Sequence, residues 1–189
     1  MAPSRPAGSD RMNTAHWLEA VRMHLAVVSV GASTLRMQSN EGGVGRAREF
    51  LRKSVSLEGL ADLGSVEFGK LLDGKTVSLA KQLPRRGDQR PNWGAARKVM
   101  NIFLRSCAMN RDLFRAYRLS RVEPFLEVPL DRQMVAGIDR DGGQSFSRVF
   151  TIRDLDRRTS RKIQDAAMDV AKGKGLFRYQ LDVLYWNTE

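Results

Sequence analysis

The chain has 189 residues, and 42% of them are hydrophobic, so it is long enough to bury a core and too apolar for wholesale disorder. No apolar run approaches the roughly 18 residues needed to cross a bilayer, and the single cysteine excludes an internal disulfide and cysteine-based metal sites. The 32 Lys and Arg residues exceed the 21 Asp and Glu residues, which gives a formal net charge of +11. We expect a monomeric cytoplasmic protein with no cofactor and no membrane contact.

Helical periodicity dominates the chain after a start rich in Pro, Ser and Gly. Residues 1–12 are predicted to form a disordered tail, and Thr14 is a plausible N-cap for the first helix. Apolar residues at helical spacing predict helices over residues 14–30, 46–55, 57–63, 67–83, 95–107, 110–119, 131–137, 151–173 and 176–186. No stretch of useful length alternates between polar and apolar residues, as a half-buried strand would. The sequence therefore predicts an all-α fold.

Polar residues mark where two of these helices begin. Asp131 follows the extended connector 123–130, which contains two prolines, and is predicted to cap the helix after it. Thr151 and Asp154 form an approximate capping box, which predicts the start of the long helix that ends at the glycines near residue 173.

One segment matches the phosphate-binding P-loop literally, since residues 69–76 read G-K-L-L-D-G-K-T. That loop works only between a buried strand and a helix, where backbone N–H groups curl around phosphate. Residues 64–68 make no buried strand, and the two leucines within the pattern are typical of the inward face of a helix. We therefore favour an interruption between helices at Gly74, and a nucleotide-dependent ATPase is nearly excluded.

The positive charge is concentrated in one part of the chain. Residues 85–121 contain ten basic and two acidic residues, a net charge of +8 in 37 residues. The basic residues are mostly arginines, whose planar guanidinium groups suit bidentate contact with phosphate. A localised field of this kind is typical of a nucleic-acid site, although an anionic membrane, an acidic partner or a merely basic surface would also produce it.

Two short motifs in residues 91–138 indicate a family. The first is a turn that runs into a helix, P-N-W-G-A-A-R-K, with Lys98 in the helix; the second is V-P-L-D, ending at Asp131. Together they resemble the helix-hairpin-helix DNA glycosylase superfamily, the group of endonuclease III and 8-oxoguanine glycosylase. Gln133 stands where that family commonly has His, and the Lys98-to-Asp131 spacing of 33 residues is long, so the motifs do not specify the excised base.

The resemblance implies a fold, a reaction and a pair of catalytic residues. The fold would be one helical domain, residues 13–189, with residues 45–131 as a middle lobe and residues 13–44 plus 132–189 as a terminal lobe. The active site would lie in the cleft between the lobes. Lys98 would be the amine nucleophile and Asp131 the catalytic carboxylate of a DNA glycosylase with AP-lyase activity.

A carboxylate and a lysine amine are the residue types that this reaction requires. Cleavage of an N-glycosidic bond puts positive charge on the sugar, which a nearby carboxylate stabilises, and a neutral lysine amine can attack C1′ to form a Schiff base. Double-stranded DNA is the expected partner. The expected DNA contacts are Arg85, Arg86, Arg90, Trp93, Gly94, Arg97, Arg111 and Arg115.

Plainer interpretations of the same residues stay open. Lys98 could be one more phosphate contact, and Asp131 could be only an N-cap. The chain would then be a non-catalytic helical DNA- or RNA-binding protein. Trp17, Trp186 and Cys107 are expected in the core, whereas Trp93 could equally contact DNA, and no metal site is expected at the two histidines.

The first testable prediction concerns salt. If the basic segment contacts the DNA backbone, affinity for duplex DNA should fall steeply as salt rises, because each neutralised phosphate releases counterions. Reversing the charges of Arg86 and Arg90 should weaken binding without unfolding the protein. A filter-binding titration at several salt concentrations checks this, and an affinity that does not change with salt would contradict it.

Overall fold

The computed structural model describes residues 14–36 and 38–186, and within them the chain is helical and has no strand. The helices are α1 (Thr14–Val28), α2 (Gly43–Ser54), α3 (Ser65–Gln82), α4 (Trp93–Met109), α5 (Arg111–Ala116), α6 (Arg132–Gly142), α7 (Arg157–Gly173) and α8 (Leu181–Trp186). The all-α prediction is confirmed. The predicted tail, residues 1–12, lies outside the described residues. None of the helices described is long and apolar enough to cross a membrane.

Side-chain caps set the beginning of several helices. Asp131 caps α6 as predicted, because its Oδ1 accepts a hydrogen bond from the Met134 N–H at 2.9 Å. The start of α7 differs from the prediction. Thr151 and Asp154 hydrogen-bond to each other in a turn, and α7 begins only after Asp156, which accepts from the Thr159 N–H at 2.7 Å.

Helix α3 is continuous through Gly74, where an interruption was predicted. The hydroxyl of Thr76 donates to the carbonyl of Leu72, one turn earlier, at 2.7 Å. The segment that matches the P-loop pattern is therefore ordinary helix, and its backbone N–H groups are not free to surround a phosphate.

Two hydrophobic cores organise the molecule, and they meet at Glu127. The first is built mainly from α1–α5 and the segment up to Leu126, and it also contains Tyr179; the second begins at Val128 and is built mainly from α6, α7 and α8. This differs from the predicted lobes, in which α1 packs with the C-terminal helices. Ala26 and Val30 instead lie in the first core.

Arg22 explains why α1 lies against α2. Its buried guanidinium donates to the backbone carbonyls of Arg52 and Val55 at the end of α2, at 3.0 and 2.9 Å. These carbonyls have no partner within the helix. The contact therefore ties α1 to the first core.

Of the three residues that were expected in the core, one is buried and two are exposed. Cys107 is fully buried on α4, as predicted, and burial raises the pKa of its thiol to about 12. Trp17 and Trp186 were expected in the core but are 44% and 68% exposed. Helical spacing identified their helices correctly, but both residues lie near an end of a helix, where less of the protein covers the side chain.

A hairpin of residues 83–92 connects α3 to α4. It is closed by an isolated antiparallel bridge between Pro84 and Pro91, and Asn92 caps α4 by accepting from the Ala95 N–H at 3.1 Å. Gly94, in the first turn of α4, packs directly against the backbone of Ile152. The absence of a side chain at Gly94 therefore permits the hairpin to dock on the segment before α7.

This close approach predicts opposite effects of alanine at two glycines. A Cβ at Gly94 would overlap the Ile152 carbonyl oxygen and lie 2.9 Å from the Leu155 Cβ, so Gly94→Ala should destabilise the fold by about 1–3 kcal/mol or more. Gly74 lies in α3, and a methyl group added there would have no neighbouring atom within 4 Å, so Gly74→Ala should stabilise by up to about 1 kcal/mol. Urea unfolding of both variants measures the difference, and equal stabilities would contradict the docking.

Candidate functional site

A cleft of about 590 Å³ lies along one face of α4. Residues 98, 102, 105 and 109 form that face, since they are three or four positions apart. The opposite walls come from α8, from the segment before α6 and from the end of α1 with the loop after it. The lining residues are Val28, Ser29, Ser33, Thr34, Lys98, Ile102, Arg105, Met109, Pro129, Asp131, Asp182, Val183 and Trp186.

Lys98 and Asp131 meet in this cleft. The Lys98 Nζ lies 3.1 Å from the Asp131 Oδ2, and the two side chains are 12% and 22% exposed. The other carboxylate oxygen, Oδ1, caps α6. The cap fixes the orientation of the carboxylate while leaving one oxygen for the amine, so the cap and the ion pair are compatible roles of one residue.

The neighbouring contacts hold the segment that carries Asp131. Arg97 makes a bidentate pair with Glu127, with Nε–Oε2 and Nη2–Oε1 distances of 2.8 and 2.9 Å. Gln164 of α7 donates to the Val128 carbonyl at 2.7 Å and accepts from its N–H at 3.1 Å. The chain from Glu127 to Asp131 is thus fixed to α4 on one side and to α7 on the other.

Burial alone would raise the pKa of Glu127, but the charge and hydrogen bonds of Arg97, with further contributions from Arg178 and Asn101, together more than offset it, so the pKa is lowered overall. Arg97 Nη1 also lies 3.0 Å from the Asp73 Oδ1 and donates to Thr76 Oγ1 at 3.0 Å. Arg97 is only 6% exposed. It balances two largely buried carboxylates, so the prediction that it contacts DNA is corrected: its charge is used inside the protein.

The prediction that Gly94 contacts DNA is corrected for a similar reason. It is buried beneath Ile152 and Leu155, where it has no surface for a phosphate. Trp93 is half-buried against the second core, and the Arg97 guanidinium lies 5.2 Å from its ring centroid. Of its two predicted roles, the structure shows packing with an aromatic–cation contact.

The other predicted DNA contacts lie on two separate surfaces. Arg85, Arg86 and Arg90 are on the hairpin, before the N-terminus of α4; Arg90 lies 3.0 Å from Asp88 and Arg85 lies 3.9 Å from Asp154. Arg111 and Arg115 are exposed on α5, after the C-terminus of α4. Seventeen residues of helix span about 25 Å, so the two groups are at opposite ends of α4.

Sequence reasoning missed a second charged pair in the cleft. Arg105 of α4 forms an ion pair with Asp182 of α8, and the Arg105 Nε is buried without a hydrogen-bond partner among the described residues. The Ser29 Oγ, at the end of α1, is likewise buried without one. The only sequence signal was an acidic residue inside the apolar segment L-D-V-L-Y-W. These atoms offer polar contacts to a molecule in the cleft.

Exposed apolar side chains surround the polar residues. Val28, Met109, Val183 and Trp186 all line the cleft and are between 39% and 68% exposed. Large apolar side chains in contact with water are typical of a surface that contacts a ligand when they are grouped in this way. Among residues 14–36 and 38–186, no three His, Cys, Asp or Glu side chains are placed to hold a metal ion.

The interior role of Arg97 gives a prediction about stability. Arg97→Met should destabilise the fold by about 3–5 kcal/mol, because it leaves Glu127 largely buried without its bidentate partner and leaves Asp73 with Arg157 alone. Arg90→Met removes an arginine that is 71% exposed and should change stability by no more than about 0.5 kcal/mol. Guanidinium-induced unfolding measures both. An Arg97→Met variant of normal stability and reduced DNA affinity would restore Arg97 as a DNA contact.

Comparisons with protein families, with curated proteins and with solved structures found no match for this chain. The observations that bear on function are therefore those of the site itself. They are a lysine amine beside a fixed carboxylate, and a cleft with polar walls and an apolar rim.

Proposed function

We propose that the protein is a DNA glycosylase with AP-lyase activity, in which Lys98 is the nucleophile and Asp131 the catalytic carboxylate. The observation that carries the proposal is the 3.1 Å approach of the Lys98 amine to the Asp131 carboxylate inside a cleft. Lysine nucleophiles form Schiff bases with sugar C1′ only when the amine can lose its proton and reach the carbon.

The two groups would divide the reaction between them. As the bond from C1′ to the base nitrogen breaks, positive charge develops on the sugar, and the Asp131 carboxylate stabilises it. The neutral Lys98 amine then forms a bond to C1′, and opening of the sugar ring gives an imine. The departing base takes the proton that the Lys98 ammonium gives up before its attack, and O4′ takes the second amine proton as the C1′–O4′ bond opens. Loss of a C2′ proton then eliminates the 3′ phosphate and cleaves the strand. The cap from Met134 keeps the carboxylate in place throughout.

The shape of the cleft suits an extruded nucleotide. A volume of about 590 Å³ lies within the roughly 300–1,000 Å³ typical of small-molecule sites. A base has apolar faces and polar edges, and the cleft offers Trp186 and Val183 for stacking or packing and the pair of Arg105 and Asp182 for hydrogen bonds. Enzymes that act on a base must remove it from the stack, so such a cleft is a requirement of the reaction.

Borohydride trapping on DNA with a preformed abasic site tests the lysine without knowledge of the excised base. The wild type should form a covalent complex, and Lys98→Ala should form none. Lys98→Arg is the matched control for charge, because its guanidinium retains the pairing with Asp131 but stays protonated and cannot form the imine. It should bind the DNA about as well as the wild type and also fail to trap.

Asp131→Asn tests the carboxylate in a separate assay, base excision from a panel of lesion-containing duplexes. Asparagine caps a helix nearly as well as aspartate, so the variant should fold normally, while loss of the charge should slow base excision from lesion-containing duplexes by 100-fold or more, of the order of 10²–10³ for such electrostatic groups. If the wild type binds DNA but traps on no abasic site, the chain is a non-catalytic binding protein and Lys98 is a structural or phosphate contact.

A further inference from the structure

The segment before and at the start of α7 is strongly basic. Residues 148–162 contain six basic and two acidic residues, a net charge of +4 in 15 residues. This segment lies outside residues 85–121, the part of the sequence with the highest charge. Its basic residues are Arg148, Arg153, Arg157, Arg158, Arg161 and Lys162, and all six are exposed.

The fold places this segment against the hairpin. Asp88 of the hairpin lies 2.9 Å from Arg153 and 3.0 Å from Arg90, so one carboxylate joins the two segments. Arg85 lies 3.9 Å from Asp154, and Gly94 contacts Ile152. The hairpin and the start of α7 therefore form one continuous surface, which we call the hairpin–α7 surface (residues 85–90 and 148–162).

The charges on the α7 part of this surface, residues 148–162, are less neutralised than those on residues 85–121. In that window, at least eight of the ten basic side chains have a carboxylate within 4.0 Å, several from distant parts of the chain. Around α7, Arg153 and Arg157 are paired in this way, with Asp88 and Asp73. Within the part of the chain that the structure describes, no carboxylate lies within 4.0 Å of Arg158 or Arg161.

The arginines of α7 are also in an unfavourable position for the helix itself. The N-terminus of a helix carries partial positive charge, and cations in the first turn are destabilising there. Helix α7 has no acidic residue in its first turn, and Arg157 and Arg158 open it. Asp156 caps the helix but is a single charge, and Asp165 lies one turn beyond Arg161. Arg157 is accounted for by its ion pair with Asp73, but the stability of α7 does not explain Arg158, whereas a polyanionic partner does.

We propose that the hairpin–α7 surface, and not α5, is where the backbone of duplex DNA lies. This inference rests on the proposed function for the identity of the partner. Arg158 and Arg161 contact phosphates together with Arg86 and Arg90 of the hairpin. Arg111 and Arg115, about 25 Å away along α4, lie outside the contact.

Two matched double variants test the location. Each removes two exposed helix arginines: Arg158→Ala with Arg161→Ala on α7, and Arg111→Ala with Arg115→Ala on α5. Affinity for a duplex with an abasic site is measured by fluorescence anisotropy at several salt concentrations. The α7 variant should lose about two units of the slope of log affinity against log salt, and roughly 10- to 100-fold in affinity at 0.1 M salt, while the α5 variant should match the wild type.

Thermal melting checks that the fold is intact, and the α7 variant should melt at about the wild-type temperature or above, because it removes the Arg158 cation from the first turn of the helix. Equal slopes for all three proteins, a loss confined to the α5 variant, or a wild type that does not bind duplex DNA would each overturn the proposal. Borohydride trapping at saturating enzyme separates it from the proposed function. At saturating enzyme, the α7 variant should still form the covalent complex. A wild type that binds duplex DNA but never traps would contradict the proposed enzymatic activity and leave the proposed DNA-binding surface in place.

Discussion

The guanidinium of Arg97 lies between Asp73 of α3 and Glu127, where the first hydrophobic core gives way to the second. Without a cation at this point, Glu127 would be largely buried without its bidentate partner and Asp73 would keep only Arg157, which costs far more than the loss of a single contact on the surface. The ion pairs of Arg97 therefore fix the point, Glu127, at which the chain passes from the first core to the segment that leads into α6. Together with the hydrogen bonds between Gln164 and Val128, the pairing fixes the segment from Glu127 to Asp131.

Lys98 follows Arg97 directly, yet the two side chains serve different parts of the protein. Successive residues of an α-helix point about 100° apart, so Arg97 faces α3 and Glu127 while Lys98 faces the cleft and Asp131. The extended segment carries one acidic residue for each direction: Glu127 pairs with Arg97 and Asp131 pairs with Lys98. One helix turn thus places the Arg97 cation in the interior and the Lys98 amine in the cleft. A variant at Arg97 would move the proposed site as well as destabilise the fold.

The sequence predicted the helices and the Lys98–Asp131 pair better than it predicted how the helices pack. Periodicity and caps are local, so α4, α6 and the cap at Asp131 could be inferred from a few neighbouring residues. The packing of α1 depends on Arg22 reaching carbonyls about thirty residues away, which no local pattern encodes. The net charge counted over residues 85–121 overstated the free positive charge for the same reason. Asp62, Asp73 and Asp182 lie elsewhere in the sequence and form ion pairs with basic residues of this segment. The pair of Arg105 and Asp182 joins α4 to the last helix and was equally invisible.

The burial of Cys107 has a practical consequence. A thiol attacks alkylating reagents and disulfides only as the thiolate, and with a pKa of about 12 and no exposed surface this cysteine is protected in the folded protein. It is also the single cysteine of the chain, in the helix that carries Lys98. The rate at which a reagent labels it under native conditions therefore reports how often the first core opens around α4. Cys107 can therefore serve as a probe of local unfolding without any change to the protein.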